Sequence, residues 1–551
     1  MNDWFSEAEL ETLAPFFTNT DSPVFGLKLP QEIAGALFSR YSRTAKSLRR
    51  VFLDEFWGTA DPFLKQQAAD LANRDDSQAL QKAREFYDRV LIGYGDDSVA
   101  QLGGAHIACE NISNIMAKVL EDSRIGIAFL EKSTRYVRFD KKNEQGEYAF
   151  YHEPNIMNSP HRDAYLDLMH TLFATYSKQM ESMLEFIQNA LPIDKLEWKH
   201  PQTGEPLPYR QIQTDEELYQ WAQRAYRSTV RAHACDVLRG YLPGAALTNL
   251  GMFGVGQAYE YLLTKLDSQT LREGRSLAAS IRGELNQLIP SFVKRAQRSE
   301  YLVETNQAVR SLASSITSHL SQQTTNRVTL TDYDAEGEEK VLAAILYPHT
   351  RLALDRLREV VRNLSAEKRA EILWEYVKRR KHRRQKPGRA LESTDYTFDI
   401  LANFGVYRDL QRHRILTQER QDFTTVHGFE TPPEIEEVGF QFEYESLMNR
   451  AHEVYERIYA DLPREAQYVV PFAFNVRWYM KMNLREAVHL CELRATPQGH
   501  PAYRRIAQEM WRQIQNVHPL LGECAQFMDW NTYRLGRLQS EIRTEYKRAN
   551  L

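Results

Sequence analysis

The sequence predicts an α+β fold, helix-rich overall, with two related domains that each set a small mixed or antiparallel sheet against flanking helices. Three observations predict it. At 551 residues the chain is longer than one ordinary core requires. Helical patterns outnumber strands, and the clearest strand alternates with period two before running straight into a helix. A similar order of elements occurs in both halves at a spacing above about 200 residues, the mark of a duplicated domain rather than a solenoid.

In the first half, helical signals run over 31–56 and 77–92, followed by a Gly/Asp-rich turn, GYGDDS (93–98), and a mostly helical stretch to Asp122. Residues 125–139, IGIAFLEKSTRYVRF, read as a strand, a short loop and another strand. The region from 140 to 230 reads as a partly helical insertion, and helix returns with RAHACDVLRGYLP (231–243). Residues 301–335, rich in Ser, Thr and Gln, are the predicted linker. The first copy is therefore 1–300 and the second 336–551.

In the second half, 366–384 predicts a strongly basic helix that ends before the breaker pair Pro387-Gly388. TDYTFDIL (394–401) predicts a strand and 404–412 a helix leading into Arg412-His413-Arg414. Phe474, Val476, Trp478 and Met480 then alternate with Asn475, Arg477, Tyr479 and Lys481, as in a half-buried strand. Asn483 follows as the predicted N-cap, with Glu486 as its capping-box partner, and 501–546 reads as further helix. REAQYVVPFAFN (464–475) parallels CDVLRGYLPGAALTN (235–249), with Pro and Asn at similar offsets.

Composition excludes several classes. With 42% hydrophobic and 26% charged residues the chain has the profile of a soluble globular protein, and no apolar run approaches the roughly 20 residues of a membrane helix. The acidic, mixed N-terminus MNDWFSEAELETL lacks a secretory pattern, so a cytoplasmic location is expected. Cys109, Cys235, Cys491 and Cys524 form no CxxC pair, against both a zinc site and a disulfide framework. Cys491 lies on an apolar stripe and reads as core. His106, His233 and His489 have no second ligand at metal spacing, so structural roles and no metal are expected. A net charge of −4 gives no global reason for nucleic acid. The run KRRKHRRQKPGR (378–389), with eight Lys or Arg, reads as a solvated helix end; the functional options are a polyglutamylated folate tail or nucleic acid.

Two guanidiniums flanking an imidazole at Arg412-His413-Arg414 can grip a diphosphate, or can simply end a helix. The surrounding segment resembles the flavin-dependent thymidylate synthases, whose Arg-His-Arg opens a motif closed by Ser-x-Arg. KVLAAILYPHT (340–350), LSAEKRAEILWEYV (364–377) and VVPFAFNVRWYMKMNLREAVHLCELRA (469–495) follow that family in order. The resemblance implies that Arg412, His413, Arg414, Asn483 and Arg485 hold FAD, with Glu392 near the flavin, and that Arg494 contacts the nucleotide.

The second copy departs from the family where the motif should close, reading Arg420-Gln421-Asp422-Phe423-Thr424. The first copy supplies that half as Glu131-Lys132-Ser133-Thr134-Arg135-Tyr136. Arg239 matches another substrate-contacting arginine, where the second copy has Gln467. Conversely, Asp122-Ser123-Arg124 stands at the first copy's Arg-His-Arg position, and its counterparts of Asn483, Arg485 and Arg494 are lost or weakened. The losses are complementary, so one composite site is expected, with Glu131, Ser133, Arg135, Arg239 and Arg494 on the nucleotide. The resemblance implies FAD, recharged by NADPH, and one-carbon transfer from methylenetetrahydrofolate to dUMP; no side chain is assigned as acid or base. It also implies a homodimer that recreates a tetramer-like assembly. The base-reading Gln of the family is here Asp409, or shifted to Gln411, which leaves open a methylase or hydroxymethylase acting on another pyrimidine nucleotide. A catalytically retired scaffold, or a nucleic-acid-binding protein using 378–389, is the other alternative.

Overall fold

The computed structural model describes residues 5–21, 25–29, 34, 37–38, 46–57, 101–123, 125–320 and 326–549. Within the predicted helix at 31–56, Leu48–Val51 is α-helical and Phe52–Trp57 continues as a π-helix. Residues 31–33, 35–36 and 39–45 lie outside the described residues, as do the predicted helix at 77–92, the turn at 93–98 and Arg124.

The first half of the chain runs through β1 (Gly104–Ser113), α1 (Asn114–Glu121), β2 (Ile127–Glu131), α2 (Arg162–Ala190), α3 (Glu216–Leu238), β3 (Leu247–Val255), α4 (Gly256–Asp267), α5 (Arg272–Leu288) and α6 (Glu300–Thr317). The second half runs through β4 (Val328–Tyr333), α7 (Ala366–Val377), β5 (Asp395–Asn403), α8 (Phe404–Leu410), β6 (Thr417–Arg420), α9 (Gln441–Asp461), β7 (Asn475–Asn483), α10 (Leu484–Arg494) and α11 (Pro501–Val517). The α+β expectation holds: small sheets, antiparallel where β2–β3, β4–β5, β5–β7 and β6–β7 pair, stand among many helices. Two compact units form. The first is Met1–Glu110, Ser123–Glu131 and Asn249–Leu320; the second is Asn111–Asp122, Lys132–Thr248 and Ser321–Leu551. The second unit thus draws residues from both sequence copies.

Most of a three-stranded sheet, ordered β1–β3–β2, belongs to the first unit, where β2 runs antiparallel to β3 and Glu131 lies opposite Leu250. The stretch before Asp122, expected to be mostly helical, is β1 followed by α1. Ala105, Ile107 and Cys109 are buried at alternate positions, a period of two that only a strand satisfies. α4 and α5 contribute Tyr259, Leu262, Leu266, Ile281 and Leu285 to the core of this unit.

In the second unit a four-stranded antiparallel sheet is ordered β4–β5–β7–β6. Tyr396, Phe398, Ile400 and Ala402 of β5 stand in register with Met482, Met480, Trp478 and Val476 of β7, all buried. Each large apolar side chain removed from water contributes about 1.5–3 kcal/mol, so this face is a firm platform. Asn403 caps α8 through Val406 N (3.0 Å), and Asn483 caps α10 through Glu486 N (2.9 Å). Glu486 was expected to return the second bond; its carboxylate turns to His413 instead. The second strand expected before Phe139 is a turn, with Tyr136 N and Val137 N both donating to Ser133 O.

The repeat is visible in the backbone. Ser113 caps α1 after β1 as Asn403 caps α8 after β5, and β3 runs into α4 as β7 runs into α10. The corresponding segments around Pro243 and Pro471 meet in an antiparallel bridge, with Gly244 N donating to Val470 O (2.9 Å) and Phe472 N to Leu242 O (2.8 Å). A Cβ on Gly244 would lie 2.6 Å from Gln467 O, so this approach requires glycine. Two other expectations are corrected. Residues 301–335, expected as a linker, hold α6 and β4, and the basic helix expected over 366–384 ends at Val377. Among the described residues no helix is long and apolar enough to cross a membrane.

Candidate functional site

A cavity of about 170 Å³ in the second unit is walled by six arginines, Arg135, Arg239, Arg408, Arg412, Arg494 and Arg537, with Asp409 as its one carboxylate. Ser133, Thr134, Tyr136, Gly405 and Tyr503 complete the lining. Five residues expected on sequence grounds therefore share one cavity: Ser133, Arg135 and Arg239 from the first copy, Arg412 and Arg494 from the second. Glu131 is not among the lining residues and belongs to the first unit, at the end of β2.

The arginines are held by a few acceptors. Arg135 donates from Nε (2.8 Å) and Nη2 (2.6 Å) to Asp236 and from Nη1 to Tyr503 Oη (3.4 Å). Burial works against its charge, but Asp236 outweighs it and holds the guanidinium well above its ordinary pKa. Asp236 lies near the end of α3, one turn before Arg239. Arg239 Nη1 is 3.4 Å from Asp409 and 3.7 Å from Asp236, whereas its Nη2 is buried without a hydrogen-bond partner. The approach of Arg239 depends on Gly405, where an added Cβ would stand 2.9 Å from Nε and 3.2 Å from Nη2. Arg408 Nη1 donates to Thr134 Oγ1 (3.1 Å). Asp409 stays ionised: burial opposes its charge, and Arg239 and Arg135 overcome that.

A buried N–H left without an acceptor costs about 1–3 kcal/mol. An anion with several oxygens recovers that cost at Arg239 Nη2 and gains from the surplus of guanidiniums, and bidentate geometry suits phosphate.

Arg494 leads from this cavity into a buried cluster. Its Nε donates to His413 Nε2 (3.0 Å), and His413 Nδ1 lies 2.7 Å from Glu486. Burial, then Arg494 and Lys386, holds His413 well below the usual histidine range, so the neutral ring accepts at Nε2 and donates from Nδ1. Burial pushes the Glu486 carboxyl up to about 7. His489, expected to stand alone, belongs here: one ligand atom each from His413, Glu486 and His489 lie within 4.8 Å of one another. Arg494 and Lys386 act on His413 and Glu486 as positive neighbours, a field that opposes a dication.

The remaining expected residues lie outside the cavity lining. Arg485 donates to Glu392 (2.7 Å) and to Pro387 O (2.9 Å), and Asn483 is committed to its cap. Arg412 is exposed, Arg414 half-buried and His413 buried, so of the three only Arg412 lines the cavity. Guanidiniums such as those of Arg412, Arg414 and Arg485 carry the donors a diphosphate requires, whereas His413 is bound to Glu486 and Arg494 and Asn483 to the Glu486 amide. Gln411 donates to Lys118 O (2.8 Å) and Asp122 (3.2 Å), which leaves Asp409 as the member of that pair facing the cavity. Gln467, standing where an arginine was expected, accepts from Phe423 N (3.1 Å).

One sequence reading needs revision. The basic run does not form a uniformly solvated end: Arg380 is buried in a pair with Glu492 (2.6 Å), while Arg379 pairs with Glu375. All four cysteines are buried, and burial raises each thiol, which removes them as nucleophiles. Sequence reasoning missed Asp236, Gly405, Arg408, Tyr503 and Arg537. The i, i+3 spacing of Asp236 and Arg239 was a usable signal; Gly405 and Tyr503 carried none.

The sequence matches the profile of the family described as thymidylate synthase complementing protein over residues 50–291 and 329–520. A UPF0159 protein of Chlamydia muridarum is 39% identical over 98% of this chain and 98% of its own. Another, from Thermoplasma acidophilum, is 35% identical over 94% of this chain and 99% of its own. A flavin-dependent thymidylate synthase of Sulfurisphaera tokodaii is 30% identical across 24% of this chain and 54% of its own length. Among solved structures, a UMP/dUMP methylase from Streptomyces cacaoi aligns with 36% of this chain and 94% of its own, at 17% identity and a TM-score of 0.28.

Proposed function

The chain belongs to the thymidylate synthase complementing protein family, and from that premise we propose that it methylates a pyrimidine nucleotide with a bound flavin. The observation that carries the reading is the arginine cavity, where residues of both copies meet around the unpartnered Nη2 of Arg239. Arg135, Arg239 and the Ser133 hydroxyl hold the phosphate. Asp409, ionised and acceptor-only, takes an N–H of the base edge. Arg494 and Arg412 surround the ring with positive charge, which favours anionic character in the pyrimidine as its C5 reacts.

FAD would be held by Arg412, Arg414 and Arg485, oriented through His413 and Asn483, with Glu392 fixing Arg485. The flavin, when bound, supplies the redox chemistry. The specific reaction within this reading is dUMP to dTMP, with methylenetetrahydrofolate as carbon donor and NADPH as reductant.

The test is a visible spectrum of the purified chain titrated with FAD and then with dUMP. Bound flavin whose absorbance shifts on adding dUMP is the expected result. Protein that takes up neither ligand would overturn the proposal.

A further inference from the structure

Helix α6 (Glu300–Thr317) is an 18-residue helix with no buried residue, yet it is not polar. Tyr301, Val309, Leu312 and Ile316 are 74%, 58%, 58% and 57% exposed, and Leu302 is half-buried. Leu302, Thr305, Val309, Leu312 and Ile316 follow the alternating three-and-four spacing of a heptad seam, with Leu302, Val309 and Ile316 at the first core position and Leu312 at the second. An apolar stripe of this period marks a helix whose partner is another helix.

We propose that this seam pairs with the same helix of a second copy of the chain. Branched Val309 and Ile316 at one core position with Leu312 at the other is the arrangement that favours two strands. The flanking positions, Tyr301, Asn306, Ala308, Ala313 and Ser315, carry no charge, so two identical helices meet without like-charge repulsion, and Ala308, Ala313 and Ser315 are small enough to allow close approach. Glu300, Glu304 and Arg310 lie off the seam. The helix is about 27 Å long, and a two-fold pair buries on the order of 1,000 Å² in total, the size at which specific interfaces begin.

The test is sedimentation equilibrium of the full-length chain at micromolar concentration, comparing wild type with Leu312→Asp and Leu312→Cys. The expected result is a wild-type mass twice that of Leu312→Asp, with unchanged far-ultraviolet circular dichroism. Leu312→Cys should form an oxidised, reducible covalent dimer that the wild type does not form. Equal masses for wild type and Leu312→Asp would overturn the proposal. So would a monomeric wild type whose amides in 300–317 resist hydrogen exchange, since another segment of the same chain would then cover the seam.

Discussion

Arg239 Nη1 lies 3.4 Å from Asp409, and the two residues come from opposite halves of the chain. The contact is long for an ion pair, and the other terminal nitrogen of Arg239 has no acceptor. The arginine is thus oriented but not consumed by its protein partners, which is what an anion-binding residue requires.

Replacing Arg239 by Gln, the residue found at the corresponding position 467, should weaken dUMP binding by about 10- to 100-fold. Hydrogen bonds to a charged group are worth about 1.5–3 kcal/mol, and each 1.4 kcal/mol is tenfold. Calorimetric titration with dUMP and with deoxyuridine separates the parts. The loss should appear with the nucleotide and be absent with the nucleoside; equal losses for both would remove Arg239 from the phosphate.

Gly405→Ala should separate binding from stability. The position lies in the first turn of α8, where alanine favours helix over glycine by about 1 kcal/mol. The new Cβ would press on the Arg239 guanidinium at 2.9 Å from Nε. Thermal unfolding should therefore move little, while dUMP affinity falls about tenfold, the effect of losing one charged hydrogen bond. A variant that binds as well as wild type would show that Arg239 has room to give way.

The pairing of half-motifs from the two copies was legible because it depends on residue types: Ser133 and Arg135 are present where Asp422 and Thr424 replace them in the other copy. The alternation of Phe474 to Lys481 and the cap at Asn483 were equally plain, since both are local. The alternation of Ala105, Ile107 and Cys109 was as regular, but two of the three are small residues that sit equally well in a helix. Gly405 and the His413–Glu486 contact join elements distant in sequence, and no local period records them. The Glu486 carboxylate would have closed a capping box in an isolated helix; the buried imidazole of His413 claims it.

Asp236→Ala should destabilise the fold by about 3–5 kcal/mol, because it leaves Arg135 buried and charged without its bidentate partner. Urea unfolding at pH 7 measures this. Asp236→Asn, which keeps one acceptor, should lose less. A loss under about 1 kcal/mol for alanine would mean that water or Tyr503 replaces the carboxylate at little cost.

The pH dependence of stability should carry the mark of Glu486. Burial raises its carboxyl from 4.5 to about 7 in the folded chain, so between these values the native state holds a proton that the unfolded state has released. Stability from this group is therefore full below pH 4.5 and is lost as pH rises through 7, by at most about 3 kcal/mol. His413 works in the opposite sense. Its depressed pKa favours the folded state above the ordinary histidine range, and that contribution is lost as pH falls. Glu486→Gln keeps an acceptor for His413 Nδ1 and removes the carboxyl titration. Relative to wild type, the variant should gain stability between pH 5 and 8, a slope read directly from urea midpoints at each pH. Parallel profiles for the two proteins would mean that Glu486 is ionised throughout, with its charge balanced by the His413–Arg494 side of the cluster.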